Sequence, residues 1–403
     1  MKKAFLALAT LFLSHSAYAE KDDCCDPISQ ATCHAEGCEC TYCLGPDNEA
    51  ANAPVRPKTC NGDIAITVAG LYWNAHQDGM EFAIDNHVAV PANPTDLQIE
   101  VLNTLVDSHY QSPDFSWNFG FKLGLSYAGC HDGWDYGVLW TWYRGDSSSQ
   151  VEADTNDNHT LITLWSDYSP PQGIVTYATD IKEKWDLDLD LIDLEVGREH
   201  WASKYLSLRP HVGIRIAYIK QSFDLNHKGG SFGLNENNSQ MNVAFNNFVK
   251  LGNDFKGAGL LAGLDSIWRL GCGWGIYGSL ATSLVYGKFS VKHDEWNREA
   301  TDLHSKIDIF ETDYSFRAIR TSLDLALGVE WMTMFCDCCY GLTTRLAWEQ
   351  HLFFHQNQFW RIVRLGDTFE ESNSSNTTGQ NIYHHRKGTL DMQGITLTVQ
   401  FTF

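Results

Sequence analysis

Residues 115–127 alternate without a break. Phe115, Trp117, Phe119, Phe121, Leu123, Leu125 and Tyr127 occupy every second position, with Ser116, Asn118, Gly120, Lys122, Gly124 and Ser126 between them. Successive side chains of a strand point to opposite faces, so this stretch has one apolar face and one polar or small face. The same period recurs at Trp134–Trp142, Trp185–Leu191, Leu206–Tyr218, Leu323–Trp331, Tyr340–Trp348 and Ile395–Phe403. Ten strands are predicted, near 63–75, 115–128, 134–144, 181–197, 205–219, 256–270, 274–289, 313–333, 340–353 and 389–403. Stretches 79–90 and 241–251 are further candidates that would raise the count to twelve.

The links between these strands are sorted by length. Short ones fall at 129–133, 198–204, 271–273 and 334–339, and long ones at 76–114, 145–180, 220–255, 290–312 and 354–388. Short turns at one end and long loops at the other is the outer-membrane barrel pattern, and several strands are long enough to cross a bilayer at a tilt. The fold class expected is therefore all-β: a transmembrane, antiparallel, up-and-down β-barrel with short periplasmic turns and long extracellular loops. Both termini would be periplasmic. A soluble sandwich also alternates, but its loops are not sorted this way. Trp134, Trp201, Trp274, Trp331 and Trp348 near the short turns, with Trp73, Tyr218, Tyr286 and Tyr314 toward the long loops, fit two interfacial belts.

The N-terminus points to export. Lys2 and Lys3 precede an apolar run from Ala4 to Leu13, and Ala17-Tyr18-Ala19 provides a small-residue cleavage site. Residues 1–19 are read as a signal peptide, 20–61 as a cysteine-rich periplasmic segment and 62–403 as the barrel. The formal net charge of −21 argues against nucleic-acid partners. The expected surroundings are outer-membrane lipid and the barrel assembly machinery, whose signal would be the terminal aromatics Phe401 and Phe403.

In an exported chain, cysteines are disulfide candidates. Cys24, Cys25, Cys33, Cys38, Cys40, Cys43 and Cys60 precede the first strand, and Cys130, Cys272, Cys336, Cys338 and Cys339 fall in short turns. On this topology all face the periplasm and would either staple the N-terminal segment under the barrel or bridge to other envelope proteins. Connectivity does not follow from sequence. The spacing around Cys33 and His34 does not match a paired zinc framework, and no metal or cofactor is expected.

This layout resembles the Legionella-type major outer membrane proteins, which have relatives in chlamydia-like bacteria. The features that carry the resemblance are the signal peptide, the cysteine-rich N-terminal stretch, cysteines confined to short turns and the terminal TLTVQFTF. The resemblance implies an abundant, oligomeric porin cross-linked through its cysteines. It brings no catalytic motif.

If the apolar positions face lipid, the alternate positions line the lumen. The charged residues expected there are Lys122, Asp186, Asp188, Asp190, Asp193, Glu195, Arg209, His211, Arg215, Asp265, Arg269, Asp324, Glu330 and Arg345. Placing Asp186, Asp188 and Asp190 inside requires a β-bulge near Leu191-Ile192, where the apolar set changes parity. Opposed charges across a lumen would tune ion selectivity, but ten-stranded barrels are narrow. The expected function is passive diffusion of small hydrophilic solutes and ions, with disulfide bracing of the envelope. The alternative is a non-conducting structural or adhesin barrel that binds partners through its loops. No nucleophile motif such as G-x-S-x-G appears, and an enzyme is not expected.

Overall fold

The computed structural model describes residues 52, 54–57, 63–87, 105, 107–129, 133–153, 160–166, 178–229, 231–236, 239–299, 302, 304–335, 340–365 and 380–403. The expected signal segment and every cysteine except Cys272 lie outside the described residues.

Ten long strands carry the fold: β1 (Asp63–Gln77), β2 (Trp117–Ala128), β3 (Trp134–Glu152), β4 (Asp180–Arg198), β5 (Leu206–Lys228), β6 (Ser239–Gly271), β7 (Trp274–Glu299), β8 (Ile307–Phe335), β9 (Tyr340–Phe353) and β10 (Leu390–Thr402). Each pairs antiparallel with its neighbours in sequence, and β10 pairs with β1, which closes the barrel. At the seam, the Ile64 and Phe403 backbones exchange two hydrogen bonds of 2.9 Å. Phe335, Tyr340, Phe401 and Phe403 stack in a row beside that seam.

The registers fix the barrel's shape. Cross-strand partners run from Arg317 through Lys288, Lys256, Tyr218, Asp190, Trp142, Phe121, Gly70, Leu397 and Leu346, and return to β8 at Val329. The circuit therefore arrives twelve residues further along the same strand, at 329 instead of 317. For ten strands with that stagger, ordinary strand spacing gives a tilt of about 40° and a backbone radius of about 10 Å. Inward side chains from opposite walls meet across such a space.

Apart from register shifts between Glu295 and Trp296 on the β7–β8 ladder and between Arg269 and Gly271 beside the β6–β7 turn, the strands keep one parity, but what that parity carries changes partway up. Near the short turns, β5 sends Leu206, Leu208, Val212, Ile214, Ile216 and Tyr218 outward and Arg209, His211 and Arg215 inward. Beyond Tyr218 the outward residues are Lys220, Ser222 and Asp224, and the inward ones are Ile219, Phe223 and Leu225. The same exchange occurs on β3 after Trp142, on β6 beyond Ala258 and on β7 after Tyr286. The barrel thus has an apolar band outside its short-turn half and a polar wall outside its long-connection half.

This corrects the expectation for β4. Its registers with β3 and β5 run continuously through Leu191 and Ile192, with no bulge. Asp186, Asp188 and Asp190 point outward on the polar wall, and Trp185, Leu187, Leu189 and Leu191 point inward. Arg144 pairs with Asp188 at 3.0 Å and with Asp190 at 2.9 Å, and Lys184 pairs with Asp186 at 2.8 Å. The apolar set switches faces because the surroundings outside the barrel switch, so no extra residue is required.

The same exchange lengthens strands beyond the sequence-based bounds. Much of the expected long links 220–255 and 290–312 is strand, in which Phe223, Leu225, Val249, Leu251, Phe255 and Val291 face in. Stretch 241–251 is the upper part of β6, and the described residues of 79–90 contribute the short strand Ala83–Asn86. That strand joins His109–Gln111 and Thr160–Thr163 in a small sheet of its own. Trp73 and Trp201 are buried and do not join an interfacial belt: Trp73 faces the interior, and Trp201 packs on Val55.

The β6–β7 link is a two-residue turn. Cys272 and Gly273 both have positive φ, 52° and 81°. Such turns favour Asn-Gly or Asp-Gly, so backbone geometry does not account for the thiol.

Spin labels at 188 and 327 test the polarity exchange in lipid bilayers. A label at 327 should collide with oxygen dissolved in lipid, and one at 188 with a water-soluble relaxation agent. Lipid exposure at 188 would contradict the assigned register.

Candidate functional site: a charged chamber under an apolar cap

The short-turn half of the barrel encloses a chamber of about 250 Å³. Strand alternation delivers its lining, and the lining is ionic. Arg215 on β5 reaches Asp193 on β4 through two hydrogen bonds of 2.8 Å, and Asp324 on β8 at 2.6 Å. Since β6 and β7 separate β5 from β8, the Asp324 contact spans the lumen. Lys122 on β2 reaches Glu349 on β9 at 2.6 Å, which also bridges strands that are not neighbours. His351 stands between Asp324 at 2.7 Å and Glu349 at 3.2 Å, joining the two bridges.

Nearer the short turns, Arg209 contacts Asp135 at 2.5 Å, Asp265 at 3.0 Å and Glu195 at 3.4 Å. Arg269 and Arg345 share Glu330, at 2.9 and 2.6 Å. At the mouth, Glu199 accepts from Arg56 at 3.1 Å and from Ser207 at 2.9 Å. Val55 donates its backbone N–H to Glu199 O, and Pro54 bridges to His200. Residues 54–56 therefore lie beneath the barrel mouth.

Glycines make room for these groups. A Cβ at Gly197 would lie 2.8 Å from the Arg209 guanidinium, and one at Gly263 would collide with the His211 ring.

Of the charged residues expected in the lumen, Lys122, Asp193, Glu195, Arg209, His211, Arg215, Asp265, Arg269, Asp324, Glu330 and Arg345 all point inward. Asp186, Asp188 and Asp190 do not. The structure adds Asp135, Glu199, Glu349, His351 and Arg56. Asp135 and Glu349 were legible from the alternation of β3 and β9; Arg56 and Glu199 were not, because they precede β1 and follow β4.

Above the chamber the interior is mainly apolar, with Gln77, Gln221 and Asn253 buried and hydrogen-bonded within it. Wall residues Trp73, Tyr143, Trp185, Phe223, Phe255 and Phe289 pack with Met80, Phe82, Ile84, Leu161, Trp165 and Phe359 from the long connections. Trp165 meets Phe223 and Phe359 edge-on, and its indole N–H donates to Glu81 O at 2.7 Å. Asn253 donates to Gln356 O at 2.8 Å, tying the cap to β6. Buried apolar area of this kind stabilises at roughly 25 cal/mol per Å².

A polar tier lies higher still, well clear of the apolar outer band. Glu295 accepts from Ser166 at 2.5 Å and from Asn247 at 2.7 Å, and His227 shares a 2.7 Å hydrogen bond with Asn247. His293 lies 3.9 Å from Glu295. Burial pushes both the His227 and His293 rings down to about 4.

A family model described as the Legionella pneumophila major outer membrane protein precursor matches residues 57–403. The chain belongs to that family, as an integral outer-membrane β-barrel. No match is found among curated proteins. Among solved structures, the outer membrane protease OmpT from Escherichia coli aligns at 12% identity and a TM-score of 0.35, covering 85% of this chain and 97% of OmpT. A Pseudomonas aeruginosa FadL homologue aligns at 10% identity and a TM-score of 0.23, covering 89% of this chain and 95% of the homologue.

Two predictions follow from the geometry. Arg215→Ala leaves Asp193 and Asp324 buried without their cation, and should lower barrel stability in urea titrations by about 3–5 kcal/mol; no change would contradict the bridging role. For His227 and His293, the unfolded chain takes up protons near pH ~6.5 and the folded chain only near 4. Their stabilising effect is full above ~6.5 and lost as pH falls through that window. Replacing both by Gln should flatten the decline in stability between pH ~6.5 and 4.

Proposed function

We propose that the chain is a structural barrel of the outer membrane, shut to solutes as folded, that anchors a cysteine-rich segment on its periplasmic side. The observation that carries this reading is the double closure of the lumen: ion pairs cross the chamber, and an apolar cap fills the interior above it. A small barrel filled by side chains has no standing water path. The short-turn end, where Pro54–Pro57 dock and Cys272 lies, is the periplasmic end on this reading. Disulfides through that segment, to the barrel turns or to neighbouring envelope proteins, would make the barrel a fixed point in the envelope. The role proposed is not enzymatic.

A second reading is a porin for small hydrophilic solutes and ions that opens when the cap leaves its seat. The charged chamber favours it, because it offers a polar path through half the barrel. Part of the cap comes from the connections at 80–84, 161–165 and 359, not from the wall.

Single-channel recording in planar bilayers separates the two. The structural reading predicts no steady conductance from the wild-type protein or from the cap variant Trp165→Ala/Phe359→Ala. Steps confined to the variant would support the gated porin. Steady conductance from the wild type would contradict closure.

A further inference from the structure

The outer wall above the apolar band carries a row of charges with no ion-pair partner among the described residues. Lys256 on β6 lies directly opposite Lys288 on β7, and Lys288 directly opposite Arg317 on β8. All three are exposed. Like charges at directly opposed positions on adjacent strands destabilise a sheet. No carboxylate among the described residues lies within ion-pair distance of any of the three.

Other cations on this wall are arranged differently. Lys220 has Asp188 and Asp254 as its cross-strand partners, Lys250 has Asp224 and Asp294, and Lys292 pairs with Asp313 at 3.9 Å. In a chain of net charge −21 this row is an exception that calls for an external anion.

Its height identifies the anion. Tyr218 is the next member of the same row on β5. Tyr286 and Ile319, 55% and 62% exposed, sit one outward position closer to the apolar band than Lys288 and Arg317. Below them Leu260, Leu284 and Leu327 face lipid. The cations therefore stand at the headgroup level of the leaflet on the long-connection side.

We propose that Lys256, Lys288 and Arg317 form a binding site for the phosphate groups of an outer-leaflet phosphorylated glycolipid, whose acyl chains lie along Leu260, Leu284 and Tyr286. Adjacent strands space the cations about 5 Å apart, close enough for one phosphate to contact two of them. This assignment rests on the orientation proposed above and is independent of whether the barrel conducts.

The test is binding of diphosphoryl lipid A to the full-length protein in neutral detergent, read by native mass spectrometry. Wild type is compared with Lys256→Gln/Lys288→Gln/Arg317→Gln and with the control Lys220→Gln/Lys250→Gln/Lys292→Gln. Heat-modifiable gel mobility reports folding; if the triple variant does not fold, Lys288→Gln alone serves as the readout. The triple variant should lose affinity on the order of a hundredfold, the scale for three cations at an anionic surface, and the control should keep it. Dephosphorylated lipid A should bind wild type as weakly as diphosphoryl lipid A binds the variant. Equal binding by wild type and variant, or equal binding of the dephosphorylated lipid, would overturn the proposal. Full displacement by millimolar inorganic phosphate would reduce the row to a generic anion site and overturn the lipid assignment. Protease access to the long connections in intact cells tests the orientation separately.

Discussion

A period of two, held in register through the middle of every wall of a closed sheet, governs this structure. A strand cannot rotate its side chains to suit a new environment without inserting a residue. The strands here meet two environments outside the barrel, and they answer by exchanging residue types between fixed faces. Beside lipid the outside is apolar and the inside ionic; beside water the outside is ionic and the inside apolar. The lower half is a membrane barrel, and the upper half is the wall of a globular core.

The interior follows from that exchange and from size. A barrel of ten strands brings opposite walls within reach of one another, so inward charges in the lower half find partners across the lumen. Arg215, Lys122 and His351 tie β2, β4, β5, β8 and β9 into one network. Such pairs are costly to bury and costlier to break, so they fix the barrel's shape more than they add stability. In the upper half the inward aromatics leave an apolar hollow, and the long connections supply Phe82, Trp165 and Phe359 to fill it. The cap is thus part of the hydrophobic core.

Much of this was legible in the sequence. The strand number, closure and most of the lumen charges followed from alternation and loop length, because both are local and repeated. Asp186, Asp188 and Asp190 were misplaced because the apolar set was assumed to keep one face throughout. Leu187 and Leu189 are as apolar as Ile192 and Leu194, and only the registers show that they point the opposite way. The upper strands were read as loops for the same reason. The capping role of Trp165 and Phe359 carries no periodic signal, since both lie in irregular connections and meet only through tertiary packing. The cationic row was equally hidden, because Lys256, Lys288 and Arg317 become neighbours only through cross-strand register.

The central claim is that the connections at 80–84 and 160–165 belong to the barrel's core and seal the chamber below. Hydrogen–deuterium exchange of the protein in lipid nanodiscs tests it most directly. The account predicts that amides in these two stretches exchange as slowly as those of the upper β5 and β7 walls. Exchange within seconds, as in a solvated loop, would mean that the cap does not hold in the membrane and that the lumen is open from above.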